Sequence, residues 1–508
     1  MTHRSRPITF FVLLGACGAL FSAAVRPAVC GDLRPEWNVG QKAVSSEDLK
    51  VAPPPAAPDE LSLSRAVGLA LQQNLGFRAT LQGLLSARSD WYVASQRWSL
   101  EAYGQVQRVS NDDTLTSSRA GAAFSYSAVT GADIAVVAEL DRLESDDTER
   151  FLTALVNQPL LAGGGRASAA YEEVRQARNN YRAALLAFFI DRQDLIERVV
   201  SAYFNTVQQR QLVGIQQASV DRAQQAVEDA RLRLDAGQIP EIDLRNAQLR
   251  LSREETGAVY QRQAFRDAMD SFLLLLGLEV GGAPELTTPI PEQTQTLDLD
   301  PLIAQALELR PDLRLADLAL EDREAALRVA RSNRLPTLDL VGSWSEVRNE
   351  TAERDWTLGL DFSLPIGSRF LTEAVRQARW ALLVSRQARA DLDQEVIADV
   401  RRQVRAAEAA RANVDIAAAS VELSRRSVEI AQRMVEEGLR TNRDLLDAQD
   451  DLRQGESSLV SSQIGYYLAL VRLRAAVGLD LMEVLPGEEA APTPEGGPSL
   501  APEASGGT

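Results

Sequence analysis

Histidine occurs once in this chain, at His3, and cysteine only at Cys17 and Cys30. Beyond them there is no Ser-His or Cys-His pair and no His or Cys cluster to grip a metal, which excludes most hydrolytic and metal-centred chemistry. No enzyme activity and no cofactor are expected, and Cys17 and Cys30 are not expected to pair as a disulfide. Lysine is confined to Lys42 and Lys50, so nearly all positive charge is arginine, and the net charge is −17. That balance argues against nucleic acid as a partner, because binding it needs clustered Lys and Arg. Arginines spread along helical faces fit solvated i,i+4 pairing instead. Methionine stands only at Met1, Met269, Met434 and Met482, so no thioether relay for soft metals is visible. No Walker loop is present, and Gly163-Gly164-Gly165 follows no nucleotide-binding pattern; it reads as a hinge.

Glycine and proline are missing where most proteins would use them. Arg369 to Glu437 contains neither, and Arg166 to Ala236 contains only Gly214. Helices of about 70 residues would span on the order of 100 Å, more than a globular core requires. Each run stops at a short tip: Gly237-Gln238-Ile239-Pro240-Glu241-Ile242-Asp243-Leu244-Arg245-Asn246-Ala247-Gln248 and Gly438-Leu439-Arg440-Thr441-Asn442-Arg443-Asp444-Leu445-Leu446-Asp447-Ala448-Gln449. A glycine that accepts the left-handed conformation, followed by a new helix start, makes each tip the bend of a hairpin. Pro240 fits a first-turn position. The tips align without a gap, and so do Val174-Arg175-Gln176-Ala177-Arg178 with Val375-Arg376-Gln377-Ala378-Arg379, and Leu276-Gly277-Leu278 with Val477-Gly478-Leu479. The chain is therefore read as two internal structural repeats.

The flanks read differently. Arg4 and Arg6 precede an apolar run from Ile8 to Val25, the layout of a secretory signal over residues 1–30. The run has the length of a membrane anchor, but Gly15, Gly18 and Ser22 favour a cleaved segment. Leu14-Gly15-Ala16-Cys17 resembles a lipobox, which makes Cys17 a candidate lipidation site. Pro53-Pro54-Pro55 lies in an extended linker, residues 31–60. Repeat 1 is assigned to 61–280, a linker to 281–296, repeat 2 to 297–481, and a disordered acidic tail to 486–508.

Each repeat opens with a helical pattern, interrupted near Asn74-Leu75-Gly76 and at Arg310-Pro311-Asp312, where X-Pro predicts a helix start. Strand-like sequence follows, over about 98–160 and about 336–365. Trp356, Leu358, Leu360, Phe362 and Leu364 alternate with Thr357, Gly359, Asp361 and Ser363. This alternation fits a membrane barrel, with Trp98, Tyr103, Phe124, Tyr126, Trp344 and Trp356 as interfacial aromatics. It fits a half-buried soluble sheet too, and taken alone it favours that sheet. The first half is longer here, and Val129-Thr130-Gly131 looks like the turn of an additional hairpin. Two hairpins per protomer would leave open edges, which a membrane forbids and oligomerisation would close.

The repeat openings Leu61 to Arg78 and Leu297 to Arg314, the junction Gln158-Pro159-Leu160-Leu161-Ala162-Gly163-Gly164 and the two tips together carry a resemblance. Over about residues 61–481 the chain resembles the TolC-type outer-membrane efflux protein family. That resemblance implies a mixed α/β membrane protein of the cell outer membrane, a homotrimer whose transmembrane β-barrel continues into a long periplasmic α-helical coiled-coil barrel. It implies the exit duct of a tripartite efflux or type I secretion system, passive and iris-gated. The implied partners are outer-membrane lipid, a periplasmic adaptor (membrane fusion) protein and, through it, an inner-membrane transporter. The family's acidic rings at the periplasmic constriction match Asp444 and Asp447, and its gate links match Arg440 and Asp243. Gly237, Gln238, Ile239, Pro240, Gly438, Leu439, Arg440 and Thr441 match the adaptor-contacting tips. Val435 departs from the family pattern, standing where a gate tyrosine is found.

Two plainer readings stand beside these. Asp243 and Asp444 would each complement a positive helix start, worth about 0.3 to 1 kcal/mol. The whole chain could be a periplasmic coiled-coil scaffold or adaptor without a pore.

Overall fold

The computed structural model describes residues 55–110, 114–142, 148–290, 297–348, 352–437, 439 and 442–484. The expected signal segment with Cys17, most of the first linker, the tail, and Gly438, Arg440 and Thr441 lie outside the described residues. In chain order the elements are β1 (Glu60–Leu61), α1 (Leu63–Gln73), α2 (Leu75–Ser95), β2 (Trp98–Ser110), β3 (Thr114–Ser127), β4 (Asp133–Arg142) and β5 (Thr148–Pro159). Then come α3 (Ala169–Asp235), α4 (Glu241–Leu276), β6 (Glu285–Leu286), α5 (Leu299–Leu309), α6 (Pro311–Ser332), β7 (Thr337–Arg348), β8 (Ala352–Ser363), α7 (Arg369–Glu436) and α8 (Asn442–Val477).

The glycine-poor runs are single helices: α3 has 67 residues and α7 has 68. Each pairs chiefly with the helix that follows it, α3 with α4 and α7 with α8. The break between α1 and α2 is made by Asn74, whose N–H closes α1 on Ala70 O while its side chain accepts from Phe77 N at 3.0 Å to start α2. In the second half Arg310 stands at the break, and Pro311 occupies the first turn of α6, where its missing N–H costs nothing.

The main core lies where α1, α3, α4 and α8 meet. Tyr203 and Phe204 of α3, Phe272 of α4 and Tyr467 of α8 pack edge to face, with the first three fully buried. Burying side chains of this kind contributes about 1.5–3 kcal/mol each. The Tyr203 hydroxyl donates to Leu61 O at 3.2 Å and accepts from Thr288 N at 2.9 Å, so the ring is fastened to the opening of repeat 1 and to the segment 281–296 that reads as a linker. There β1 and β6 pair in parallel, with Leu61 and Leu286 buried. Their two-residue strands are too short to announce themselves by periodicity.

The second half has a smaller core, including Val396, Val400 and Val404 of α7 against Leu473 and Val477 of α8. Further along α7, Ile416, Leu423 and Ile430 recur every seven residues yet remain 67%, 65% and 54% exposed. A heptad stripe has the spacing of a coiled-coil seam, and no described residue buries this one.

The remaining strands form one six-stranded antiparallel sheet in the order β2-β3-β4-β5-β7-β8. The additional hairpin of the first half, β3–β4 about the Val129-Thr130-Gly131 turn, is thus part of the sheet, paired to β2 on one side and to β5 on the other. Chain connections to α2, α3, α6 and α7 all leave from one end of the sheet, as does the β3–β4 turn. That turn is tied to the junction before α3 by Gly165 N to Thr130 O at 2.9 Å and by Ser168 Oγ to Val129 O at 2.8 Å.

Candidate functional site

Two places on this scaffold carry the residues that matter, the hairpin tips and the sheet faces. At the first tip, Gly237 is left-handed (φ +68°), and Gln238 N bonds back to Arg233 O at 2.8 Å, closing α3 with a Schellman turn. Pro240 is the N-cap of α4, extended at φ −74° and ψ 154°, one position ahead of the first-turn place its sequence suggests. The turn after Gln238 and Ile239 is short, and proline's fixed φ serves the cap as well as it serves the first turn. Asp243 is exposed in the first turn of α4 beside Glu241, and its N–H donates to Pro240 O at 3.0 Å.

At the second tip Leu439 N bonds to Met434 O at 2.8 Å, the same closure as at the first. Asp444 sits half-buried in the first turn of α8, and Asp447 is exposed three residues on, on the same side of the helix. Val435 is half-buried just before the bend. Of the expected tip residues, Gly237, Gln238, Ile239, Pro240, Leu439, Asp243, Asp444 and Asp447 are described.

A link between the hairpins appears that the sequence reading missed. Arg250 of α4 donates through Nη2 to Asp450 Oδ1 of α8 at 2.6 Å and to Leu446 O at 3.3 Å. It thereby holds the stretch of α8 that carries Asp444 and Asp447 against the first hairpin. Arg453 Nε lies 4.0 Å from the same carboxylate oxygen. The signal was present as opposite charges at nearly equivalent repeat positions, but nothing in the sequence said which helix faces meet.

A second missed pattern lies at the far ends of the return helices. Asn74 Nδ2 donates to Leu275 O at 2.9 Å, and Arg310 Nη1 donates to Ala476 O at 3.1 Å, the corresponding carbonyl one repeat later. Gly277 and Gly478 admit this approach: a Cβ on Gly277 would meet Gln73 O at 2.8 Å, and one on Gly478 would meet Arg310 N at 3.2 Å. Arg310 also reaches Asp312 at 2.8 Å and Asp399 of α7 at 3.0 Å. Burial works to raise the Asp399 carboxyl, and hydrogen bonds from Arg310, Arg402 and Gln403 overcome it, so it ionises below the usual carboxylate range. Arg175 of α3 likewise bridges to α6, donating to Asp322 at 2.7 Å while hydrogen-bonded to Glu172. Among the described residues no group of His, Cys, Asp and Glu is arranged to hold a metal ion.

The sheet sorts its side chains by face. Ladder partners place Leu100, Phe124, Val136, Ala154, Trp344 and Trp356 in one row across all six strands. The next row towards the helical end adds Trp98, Tyr126, Ile134, Val156 and Leu358, with Gly342 between the last two. This apolar face is uncovered: Leu100 and Leu358 are each 67% exposed and Trp356 is 74% exposed. The opposite face is polar, with Ser99 bonded to Ser125 at 2.7 Å, Ser343 to Thr357 at 2.5 Å, Arg119 to Asp141 at 3.1 Å and Tyr103 to Glu139. No helix among the described residues is long and apolar enough to cross a membrane.

Comparison with known proteins adds to this geometry. Residues 302–479 match the family model "Outer membrane efflux protein". The chain is 22% identical over 415 residues to outer membrane protein TolC of Vibrio cholerae, covering 76% of this chain and 92% of that protein. It is 26% identical over 324 residues to outer membrane efflux protein BepC of Brucella suis, covering 60% of this chain and 69% of that protein. Among solved structures, CusC superposes with a TM-score of 0.64 at 17% identity, covering 82% of this chain and 92% of CusC. The outer membrane protein VceC of Vibrio cholerae gives 0.63 at 16% identity, covering 82% and 96%. The fold is that of these outer-membrane channel proteins.

Proposed function

We propose that this chain, which matches the outer membrane efflux protein model over residues 302–479 and resembles channel and transport proteins, is the outer-membrane exit duct of a tripartite efflux or type I secretion system. One observation carries the reading: a sheet with a bare apolar face and a polar reverse, joined at one end to two hairpins of helices too long for a globular core. In water that face would be a large exposed patch, which a pore-free periplasmic scaffold has no means to cover. In a bilayer it meets acyl chains, while the polar face turns to a water-filled lumen. The open edges of the sheet then demand further copies, and a homotrimer closes them. The unpartnered seam at Ile416, Leu423 and Ile430 supports the same assembly, because neighbouring copies would bury it.

In this arrangement the helices form the periplasmic tunnel and the tips its inner mouth. Gly237 to Pro240 and Gly438 to Thr441 meet the periplasmic adaptor, which couples the duct to an inner-membrane transporter. Asp444 and Asp447, repeated in three copies, put six carboxylates around the axis, a ring that attracts cations and repels anions. Arg440 and Asp243 belong to the links that keep the entrance closed. Arg250 and Asp450 add a further link between the hairpins near the tips, where Val435 stands in place of a gate tyrosine. Opening is an iris-like movement of the tip helices, and the energy comes from the partner pump.

The test is planar-bilayer conductance of the detergent-purified protein, wild type against Asp444→Asn with Asp447→Asn. Cation selectivity that falls in the double variant, together with relief of block by multivalent cations added from the periplasmic side, supports the duct and its constriction. Unchanged selectivity and block would remove Asp444 and Asp447 from the constriction. A water-soluble monomer would remove the barrel itself.

A further inference from the structure

The two halves of the chain differ most in their strands. The second half contributes β7 and β8, and the first contributes β2, β3, β4 and β5. The added hairpin, β3–β4, does not fold across the sheet: β3 pairs with β2 over thirteen residue pairs, and β4 pairs with β5 over ten. Its side chains keep the sorting of the rest. Phe124 of β3 and Val136 of β4 face the same way as Trp356 of β8, and Ser125 and Ala135 face the same way as Thr357. A hairpin lying over the rim, or plugging a lumen, would have no reason to continue a lipid-type alternation in register with its neighbours.

The free edges are complementary. With an even number of antiparallel strands, β2 runs away from the helical end and β8 runs back towards it. Set side by side in neighbouring copies with their apolar faces on the same side, they are antiparallel. Their lengths also agree, at 13 and 12 residues. Among the described residues no strand pairs with either edge, and unpaired strand edges are not tolerated in hydrocarbon.

We propose that all six strands enter the barrel wall, and that β8 of each copy pairs with β2 of the next. Three copies then close an eighteen-stranded barrel, where one hairpin per half would close twelve strands. The inference rests on the trimeric-duct reading and deepens it. For a strand spacing of about 4.8 Å and a tilt of about 40°, eighteen strands give a backbone diameter of about 36 Å, against about 24 Å for twelve. The polar face lines that wider lumen, so solutes too broad for a twelve-stranded wall pass the outer membrane. Selection is then left to the tips.

The full chain in phosphatidylcholine nanodiscs tests this, with single cysteines introduced as Phe124→Cys and Ser125→Cys on β3 of the added hairpin, and Leu358→Cys and Thr357→Cys on β8. Each is labelled with a small thiol-reactive fluorophore, and the wild-type chain sets the background from Cys17 and Cys30. Acyl-chain-brominated lipid should quench the labels at positions 124 and 358 at least twofold more than those at 125 and 357, and aqueous iodide should do the reverse. Lipid quenching at 358 without quenching at 124 would leave the duct standing but put the added hairpin outside the wall, overturning the eighteen-stranded barrel. Lipid quenching at neither position would overturn the barrel reading as a whole. If a β3 variant fails to fold, Val136→Cys and Ala135→Cys repeat the lipid-side and lumen-side pair on β4 of the same hairpin.

Discussion

Removing the Arg250 guanidinium should open the tips. Arg250 and Asp450 meet at 2.6 Å with side chains 21% and 44% exposed, so the pair is partly screened from water. A fully exposed ion pair is worth about 0.2–1 kcal/mol, and a charge-assisted hydrogen bond shielded from water about 1.5–3 kcal/mol. A contribution of about 1–2 kcal/mol per protomer follows, and the second bond to Leu446 O favours the upper part of that range. If opening separates α8 from α4, the link exists only in the closed state, and its loss shifts the equilibrium towards open by about 5–30-fold per protomer. Three links broken together would shift it by about a hundredfold or more.

Arg250→Met keeps the aliphatic stem and leaves Asp450 solvated, with Arg453 nearby, so folding should be little affected. Asp450→Asn should perturb more, because it leaves the Arg250 and Arg453 guanidiniums facing each other without the carboxylate between them. The assay is open probability in planar bilayers at fixed voltage, with the charge exchange Arg250→Asp and Asp450→Arg as the rescue. An open probability for Arg250→Met within threefold of wild type, in a protein that melts at the wild-type temperature, would refute the argument that this pair holds the tips.

Other outcomes follow from the same contacts. Arg310→Ala should destabilise the chain by about 1–3 kcal/mol, since it leaves the Ala476 carbonyl unpaired and Asp399 to Arg402 and Gln403 alone; the readout is the thermal midpoint. Asp399 ionises below its ordinary value of 3.8, so its stabilisation is fully present above that pH and is lost as pH falls through the lower folded value. The melting gap between wild type and Asp399→Asn should therefore be constant from pH 7 to about 5 and close below about 3.8. Gly478→Ala should destabilise by about 1–3 kcal/mol, because its φ is +83° and its Cβ would press on Arg310. Replacing Leu423 and Ile430 with Glu should turn trimer into monomer in detergent, read by light scattering; an intact trimer would show that the heptad stripe is not an interface.

Much of the architecture was legible because it obeys local rules. The two long helices announce themselves by lacking glycine and proline, and the tips by glycine followed by an acidic first turn. The alternation from Trp356 to Leu364 assigns faces before any strand is paired. Local reading stopped where a distant neighbour decides. Pro240 moved one position to the N-cap, because proline's φ suits both places and only the length of the turn chooses between them. Asn74 and Arg310 look unrelated in sequence, yet both donate to the carbonyl near the end of a return helix. The shared feature is the gap left by Gly277 and Gly478, which appears only once the helices have packed. Arg250 and Asp450 were two charges among many on solvated faces until helix packing set them 2.6 Å apart.

By itself the sequence determined the long helices and the strand regions, their order, the bends and the two chemical faces of the strands, because backbone preference and side-chain period act within a few residues. The tertiary structure alone decided that the additional hairpin lies in the plane of the sheet, and that the hairpins are tied together near their tips. Strand pairing and cross-helix charge contacts depend on which surfaces meet across tens to hundreds of residues, and no local pattern encodes that choice.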